Sequence, residues 1–330
     1  MKEKKAREIL FNATKRPTSK EALKIAEGDV FKIAKEIDYS LNLETLNKIY
    51  DIHSLLMPIA ENMITRLLKQ TEQEEPTYYP FARDAEFFYD ALWGIAQAGE
   101  KNLEQRIHLL KTSNGMKSTY KADSEYFSSI GINNNDLSKN TAIFIDSGFA
   151  GSLFNYVVKE AKIDLSAQNR IKGFLVCKAG GLYTEMSFIN KNSKKLLKQI
   201  INRMKDSPYL EILPNNLHQA LCHFMQLTPK ATGRYVQTYK KINGEWDVMP
   251  EKNRLFSKCD VTSKNKKYLH SNESCLLLPN GWKQRNSIEQ KCGWVNDDVV
   301  DPFASLLLQK RTLEYFTDSN VHDRIYDSIK

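Results

Sequence analysis

The sequence predicts an α/β fold: a mostly parallel sheet, preceded by a helical cap and followed by a helical and β-hairpin region. In the middle of the chain, short apolar runs that end in small or polar residues alternate with stretches of helical periodicity. Before this region the apolar residues recur at helical spacing, and after it Asn243-Gly244 separates two alternating segments, as in a hairpin. We therefore divide the chain into an N-terminal helical subdomain (1–72), an α/β core with a phosphate site (77–200) and a C-terminal helical and hairpin region (201–330).

Composition and charge limit the function classes. The chain has 330 residues, of which 41% are hydrophobic, and its net charge is +8. That charge favours a phosphate-bearing partner, an acidic surface or a membrane face. Because the basic residues are scattered, nucleic acid stays open without further support. The five cysteines include no C-x-x-C pair, which argues against a disulfide framework and a zinc ribbon.

The sequence also bears on localisation. No apolar run approaches the roughly 18–20 residues of a membrane-spanning helix. The basic N-terminus lacks the apolar core of a signal peptide. We therefore expect a cytoplasmic protein, and export by a non-classical route stays open.

The first 72 residues have the pattern of helices throughout. Ser19 is expected to cap the first of them, and Pro58 is expected to bend or split the longest. No catalytic pattern occurs here. The simplest interpretation is a helical cap, or a surface for a protein partner.

Four apolar runs in the core predict parallel strands. Helices are expected from about Glu86, over about 125–130 and directly after the third strand, and a C-terminal helix is expected from Asp301-Pro302. The strands are Tyr78–Ala82, Ile107–Leu110, Ala142–Ile145 and Ile171–Lys178.

The third strand leads into the most informative stretch of the chain. Asp146 ends the strand, small residues form a turn, and a helix follows whose free N–H groups and positive dipole end face that turn. Such a turn is a ready phosphate site, and an adjacent aspartate suits a ribose hydroxyl or Mg²⁺. An ordinary βα turn that binds nothing is the alternative. The turn residues expected to contact the ligand are Ser147, Gly148, Ala150, Gly151 and Ser152.

Two other strand ends carry polar residues. Arg83-Asp84 follows the first strand and is either an ion pair that closes the sheet edge or a clamp for a substrate phosphate. Thr112 and Ser113 follow the second strand, where hydroxyls either contact phosphate or end the strand. Because ligands bind beyond the carboxyl ends of parallel strands, we expect all these residues to surround one site with Asp146.

Segments FARDAEFF, HLLKTS and IFIDSGFAGSL, followed by IKGFLVCK, resemble the core of type I phosphoribosyltransferases over residues 77–180. The resemblance implies a Rossmann-like sheet, a phosphorylated sugar or nucleotide as ligand, and Mg²⁺ as a cofactor. It puts Asp146 at the place of the ribose-binding acid and Ala150, Gly151 and Ser152 in the phosphate loop. Ile145 stands where that family has a second acid.

A second resemblance covers residues 77–250. Segments ARDA, KTS and DSGFAGS, with Glu211 and PKATGRY, resemble an uncharacterised bacterial family found beside or fused to haloacid-dehalogenase-like hydrolases in surface-polysaccharide loci. A hydrolase of that kind uses a D-x-D motif, and this chain has Asp84-Ala85-Glu86 instead.

Three functional hypotheses follow. In a phosphoribosyltransferase-like enzyme, Asp146 orients ribose or Mg²⁺, Arg83 neutralises the charge of a leaving group, and Asp84 positions Arg83. In a haloacid-dehalogenase-like phosphohydrolase, Asp84 is the nucleophile. The third hypothesis is a non-catalytic module that senses a nucleotide or binds a partner.

Overall fold

The structure is a computed structural model that describes residues 17–36, 43–82, 85–112, 124–146, 152–168, 170–175, 236–242, 244–250 and 302–330. It is an α/β structure: helices accompany a small, open, three-stranded parallel sheet and a two-stranded hairpin. The described residues fall into two compact units. The first holds the described residues of 17–60 and 302–315, and the second those of 61–175, 236–250 and 316–330.

The first unit is helical. Its elements are α1 (Ser19–Lys24), α2 (Glu27–Glu36), the part of α3 (Leu43–Thr71) up to Ala60, and the part of α10 (Pro302–Phe316) up to Tyr315. These helices bury an aliphatic core, as their helical periodicity predicts. That core includes Ile25, Val30, Ile33, Met57, Leu306, Leu307 and Leu313.

Two details of these helices correct or narrow the sequence-based expectations. The cap of α1 is Thr18, not Ser19: the Thr18 hydroxyl accepts from the Glu21 N–H, and the Glu21 carboxylate accepts from the Thr18 N–H. This reciprocal capping box satisfies two backbone donors, which a cap at Ser19 would not do. Pro58 does not split α3, which continues through it. Pro58 and Ser54 are both exposed, so water can reach the carbonyl that lacks its helical partner.

The second unit is built on the parallel sheet. Strand β2 (Ala142–Asp146) lies between β1 (Thr77–Pro80) and β3 (Ile171–Leu175). Residues 106–110 lie along the other side of β1, through the parallel bridges Tyr78–Ile107 and Phe81–Leu110. The backbone hydrogen bonds His108 N to Tyr78 O (2.9 Å) and Leu110 N to Pro80 O (2.8 Å) hold this 106–110 segment in place. Three of the four predicted strands are thus present as β1, β2 and β3. The second predicted strand is not: residues 106–110 pair with β1 only through isolated bridges, on the side of β1 away from β2.

Helices cover both faces of the sheet. On one face, Phe144 and Tyr79 belong to a buried cluster with residues of α6 (Ser124–Ser129), α7 (Asn134–Leu137), α8 (Ser152–Glu160) and α9 (Leu165–Gln168). On the other face, Phe88 of α4 (Glu86–Ala98) packs edge-on against Phe174, with ring centroids 5.6 Å apart. The two faces follow from the alternation of side chains along a strand.

Helix α4 is more buried than the sequence predicts. A surface helix buries one apolar face, yet every residue from Glu86 to Ala96 except Tyr89 is buried. The reason is that α4 is covered by the sheet and also by Phe316, whose ring lies 6.5 Å from that of Phe87. The short α5 (Lys101–Glu104) follows it.

The C-terminal region contains two helices where one was expected. Helix α10 ends at Phe316, and α11 (Ser319–Ile329) begins after Asp318, whose carboxylate accepts from the Asn320 N–H at 2.8 Å. Such an aspartate cap starts a new helix. Arg324 of α11 then forms two hydrogen bonds to the Glu61 carboxylate, at 2.9 and 2.8 Å.

The predicted hairpin is confirmed as β4 (Val236–Ile242) and β5 (Glu245–Pro250), which pair antiparallel. Gly244 in its turn has a φ of +86°, a conformation that glycine adopts without steric cost. None of the helices in the described ranges is long and apolar enough to cross a membrane.

Candidate functional site

The order of the strands defines a particular place on the sheet. From β1 the chain moves to one side, to the 106–110 segment, and then returns past β1 to β2 on the other side. Connections on opposite sides of a central strand leave a crevice at the carboxyl ends of the strands, and ligands of α/β proteins bind in such crevices. By this rule, a crevice is expected where β1 and β2 end.

Backbone hydrogen bonds fix the relative positions of these strand ends. The Phe81 N–H donates to the Ile145 carbonyl at 2.9 Å, and the Ala82 N–H donates to the Leu110 carbonyl at 2.9 Å. The ends of β1, β2 and the 106–110 segment are therefore level. Asp146 follows Ile145 on β2, and Lys111 follows Leu110 on the other side of β1, so these two residues flank the end of β1.

Asp146 is the last residue of β2 and is 6% exposed. It alternates with Ala142 and Phe144, so its side chain lies on the sheet face that α6 and α8 cover. An aspartate at this depth keeps its charge only with compensating polar groups or a cation. The sequence singled out Asp146, and the structure describes it at the carboxyl edge.

Thr112 is the second predicted residue at this edge. It is 2% exposed, and its N–H donates to the Leu110 carbonyl at 3.0 Å, which turns the chain at the end of the 106–110 segment. Thr112 and Asp146 therefore follow segments that lie on opposite sides of β1.

Ser152 is the first residue of α8, so the helix begins within six residues of Asp146. The buried Val157 and Val158 hold α8 against Phe144. The other predicted residues lie outside the part of the chain that the structure describes. They are Arg83, Asp84, Ser113, Ser147, Gly148, Ala150, Gly151 and Glu211, together with the PKATGRY segment.

Two buried acids at this end of the sheet were missed by the sequence analysis. Glu86 and Asp90, each 1% exposed, lie one turn apart at the start of α4, which follows β1 directly. Glu86 also lies in the first turn, where the helix dipole favours a negative charge. No local signal predicted their burial, because acids at i and i+4 share one helix face and such a face is typically exposed to solvent.

Within the described ranges, no cluster of three or more histidine, cysteine, aspartate or glutamate residues suits a metal ion. Mg²⁺, however, binds with one or two carboxylates and with the phosphates of its ligand, and needs no all-protein cage. The carboxylate of Asp146 is a hard oxygen donor of the kind that such an arrangement uses.

A cavity of about 230 Å³ lies at the opposite, amino edge of the sheet. Its charged group is Asp136, whose carboxylate accepts from the Asn133 side chain at 2.6 Å. His108, stacked on Tyr79, also lines it, and burial lowers the pKa of this histidine. This cavity is remote from Asp146, since its strand residues Thr77 and Ala142 begin the strands that end at the carboxyl edge.

Comparison of the chain with protein-family models, with curated proteins and with solved structures finds no match.

Proposed function

We propose that this chain is an enzyme that binds a phosphorylated sugar or nucleotide at the carboxyl edge of its sheet, with a Rossmann-like architecture resembling that of the type I phosphoribosyltransferases. One observation carries the proposal: the buried Asp146 is the last residue of β2, which lies next to β1. The two segments that follow β1 in the chain lie on opposite sides of it. A buried acid in that crevice is typical of a ligand-binding group.

The residues of this edge have distinct roles in the proposal. Asp146 would bind a ribose hydroxyl or hold Mg²⁺, which neutralises phosphate charge when it is bound. The backbone N–H groups of residues 147–152, at the start of α8, would bind the phosphate, and Thr112 would contribute a hydroxyl. Arg83 would neutralise the charge that develops on the leaving group, so the C–O bond to that group could break as the acceptor attacks.

A phosphohydrolase is the second candidate, and one observation favours it. Strand β1, which leads into Arg83-Asp84, lies between the segment that ends in Thr112 and the strand that ends in Asp146. In this mechanism the Asp84 carboxylate attacks phosphorus, the bond to the ester oxygen breaks, and that oxygen takes a proton. Water then hydrolyses the acyl phosphate and regenerates Asp84.

Two substitutions distinguish these mechanisms. In the transferase, Asp146→Asn should abolish turnover because it removes the charge that holds ribose or metal, and Asp84→Asn should cost about 1–3 kcal/mol of transition-state stabilisation. In the phosphohydrolase the order reverses. The measurements are pyrophosphate release from phosphoribosyl pyrophosphate and phosphate release from p-nitrophenyl phosphate, with folding checked by thermal melts.

Asp136→Asn is the matched control, because it neutralises an aspartate at the opposite edge and should leave both activities unchanged. A phosphoaspartate trapped at Asp84 would rule out the transferase. A wild-type protein without either activity, but stabilised by a nucleotide or sugar phosphate, would indicate the non-catalytic module. Ile145 would be consistent with that result, because it stands where the phosphoribosyltransferases have a second acid.

A further inference from the structure

The N–H of Lys111, the residue before Thr112, donates to the hydroxyl oxygen of Tyr126 at 3.0 Å. Tyr126 is 4% exposed and belongs to α6, in the cluster that covers the Asp146 face of the sheet. The 106–110 segment bonds to β1 up to Leu110, so this contact is the first hydrogen bond beyond the sheet ladder. A side chain from another element therefore fixes the backbone where the segment leaves the sheet.

The Tyr126 ring is held in turn by the hairpin. Tyr239 of β4 stacks on it, with ring centroids 3.9 Å apart and planes 19° apart. Trp246 of β5 meets it edge-on at 6.2 Å. Lys241, the cross-strand partner of Trp246, covers the indole at 4.8 Å. Aromatic contacts of this kind stabilise the packing beyond the area that they bury.

We propose that Tyr126 is a positioning residue of the carboxyl-edge site. Its hydroxyl fixes the end of the 106–110 segment, and the β4–β5 hairpin braces its ring, so that a part of the chain more than a hundred residues away sets the position of Thr112. This proposal rests on the proposed function for its ligand, a phosphate group, but its structural part is tested independently of that function. Tyr126 itself does not react.

Tyr79 provides a matched control. It is a buried tyrosine of the same cluster, 2% exposed, and its hydroxyl donates to the Ile130 carbonyl at 2.7 Å. That bond lies beside the amino-edge cavity. Tyr79→Phe and Tyr126→Phe each remove one buried hydroxyl and keep the ring, so their effects on thermal stability should be similar. Tyr126→Phe removes a hydrogen bond at the carboxyl edge of the sheet, whereas Tyr79→Phe removes one beside the amino-edge cavity.

The experiment measures amide hydrogen exchange at Lys111 and Thr112, the Kd of pyrophosphate by calorimetry, and the melting temperature. Tyr126→Phe should accelerate exchange at Lys111 at least tenfold and weaken pyrophosphate binding at least fivefold, whereas Tyr79→Phe should change neither. Tyr239→Leu, which removes the stacked ring, should also accelerate exchange at Lys111, though by a smaller factor.

Equal exchange at Lys111 in the two phenylalanine variants and the wild type would overturn the proposal. Faster exchange in Tyr126→Phe together with wild-type pyrophosphate affinity would also overturn it, because the fixed backbone would not serve the site. Unchanged exchange in Tyr239→Leu would overturn the role of the hairpin. If the wild-type protein does not bind pyrophosphate, the proposed function fails, and exchange at Lys111 alone decides whether Tyr126 fixes this strand end.

Discussion

At the scale of single residues, the buried polar groups of the helical unit depend on one another. His53 Nε2 lies 2.9 Å from the Thr312 hydroxyl oxygen, and that hydroxyl is 3.0 Å from the Leu308 carbonyl. A hydroxyl has a single hydrogen, so donation to Leu308 requires His53 to donate from Nε2. Burial, with a further contribution from the positive charge of Arg311, lowers the pKa of His53 to about 3.

This low pKa predicts an acid-sensitive helical unit. The unfolded chain takes up a proton on His53 below a pH of about 6.5, while the folded protein does so only near pH 3. The contribution of neutral His53 is therefore complete above pH 6.5 and is lost as the pH falls, by about 1.4 kcal/mol per pH unit. Denaturant unfolding at pH 7 and pH 5 should show that wild type loses about 2 kcal/mol more than His53→Gln.

Thr312→Val serves as the control for this prediction. It removes the hydrogen-bond partner of His53 but introduces no group that titrates, so most of its cost should appear at both pH values. If His53→Gln and wild type lose equal stability on acidification, His53 does not control this pH dependence.

At the scale of elements, the packing of α4 depends on a glycine in its middle. A Cβ atom added to Gly94 would lie 2.8 Å from Phe316 Cβ and 3.1 Å from the Phe316 carbonyl carbon. Phe316 is fully buried, so it cannot move aside easily. Gly94→Ala gains up to about 1 kcal/mol of helix propensity but should still destabilise the protein by about 1–3 kcal/mol, because an overpacked contact costs more.

Gly28→Ala is the matched comparison, since an added Cβ at Gly28 meets no atom within 4 Å and this glycine also lies in a helix. It should be neutral or should stabilise the protein by up to about 1 kcal/mol. Thermal unfolding of both variants measures the difference. A Gly94→Ala variant as stable as Gly28→Ala would show that Phe316 does not restrict α4.

At the scale of the whole molecule, we expect a phosphate ligand to bind at the carboxyl edge of the sheet and not at the amino edge. The carboxyl edge carries Asp146 and Thr112, and the amino edge carries the cavity beside Asp136. We expect pyrophosphate or ribose 5-phosphate to slow amide exchange in peptides that contain residues 81–82, 111–112 and 146–152, and to leave residues 129–141 unchanged. Protection confined to residues 129–141 would move the ligand site to the amino edge.

The sequence by itself determined the local elements. Apolar runs predicted β1, β2, β3 and the 106–110 segment, and the Asn243-Gly244 turn predicted the hairpin. It also picked out Asp146, because an acid directly after a buried strand is visible in the order of residues. These features are local, since periodicity and turn residues act within a few positions of the chain.

The tertiary structure decided the rest. The position of β1 between the 106–110 segment and β2 depends on hydrogen bonds between residues that are distant in the chain, such as Phe81 and Ile145. Glu86 and Asp90 are buried because Phe174 and Phe316 both pack around α4, and no pattern within residues 86–98 specifies two covered sides. Tyr126 contacts Lys111 and Tyr239, which are distant from it in the chain, for the same reason. The packing of the whole core determines which distant segments come together, and the local sequence does not specify it.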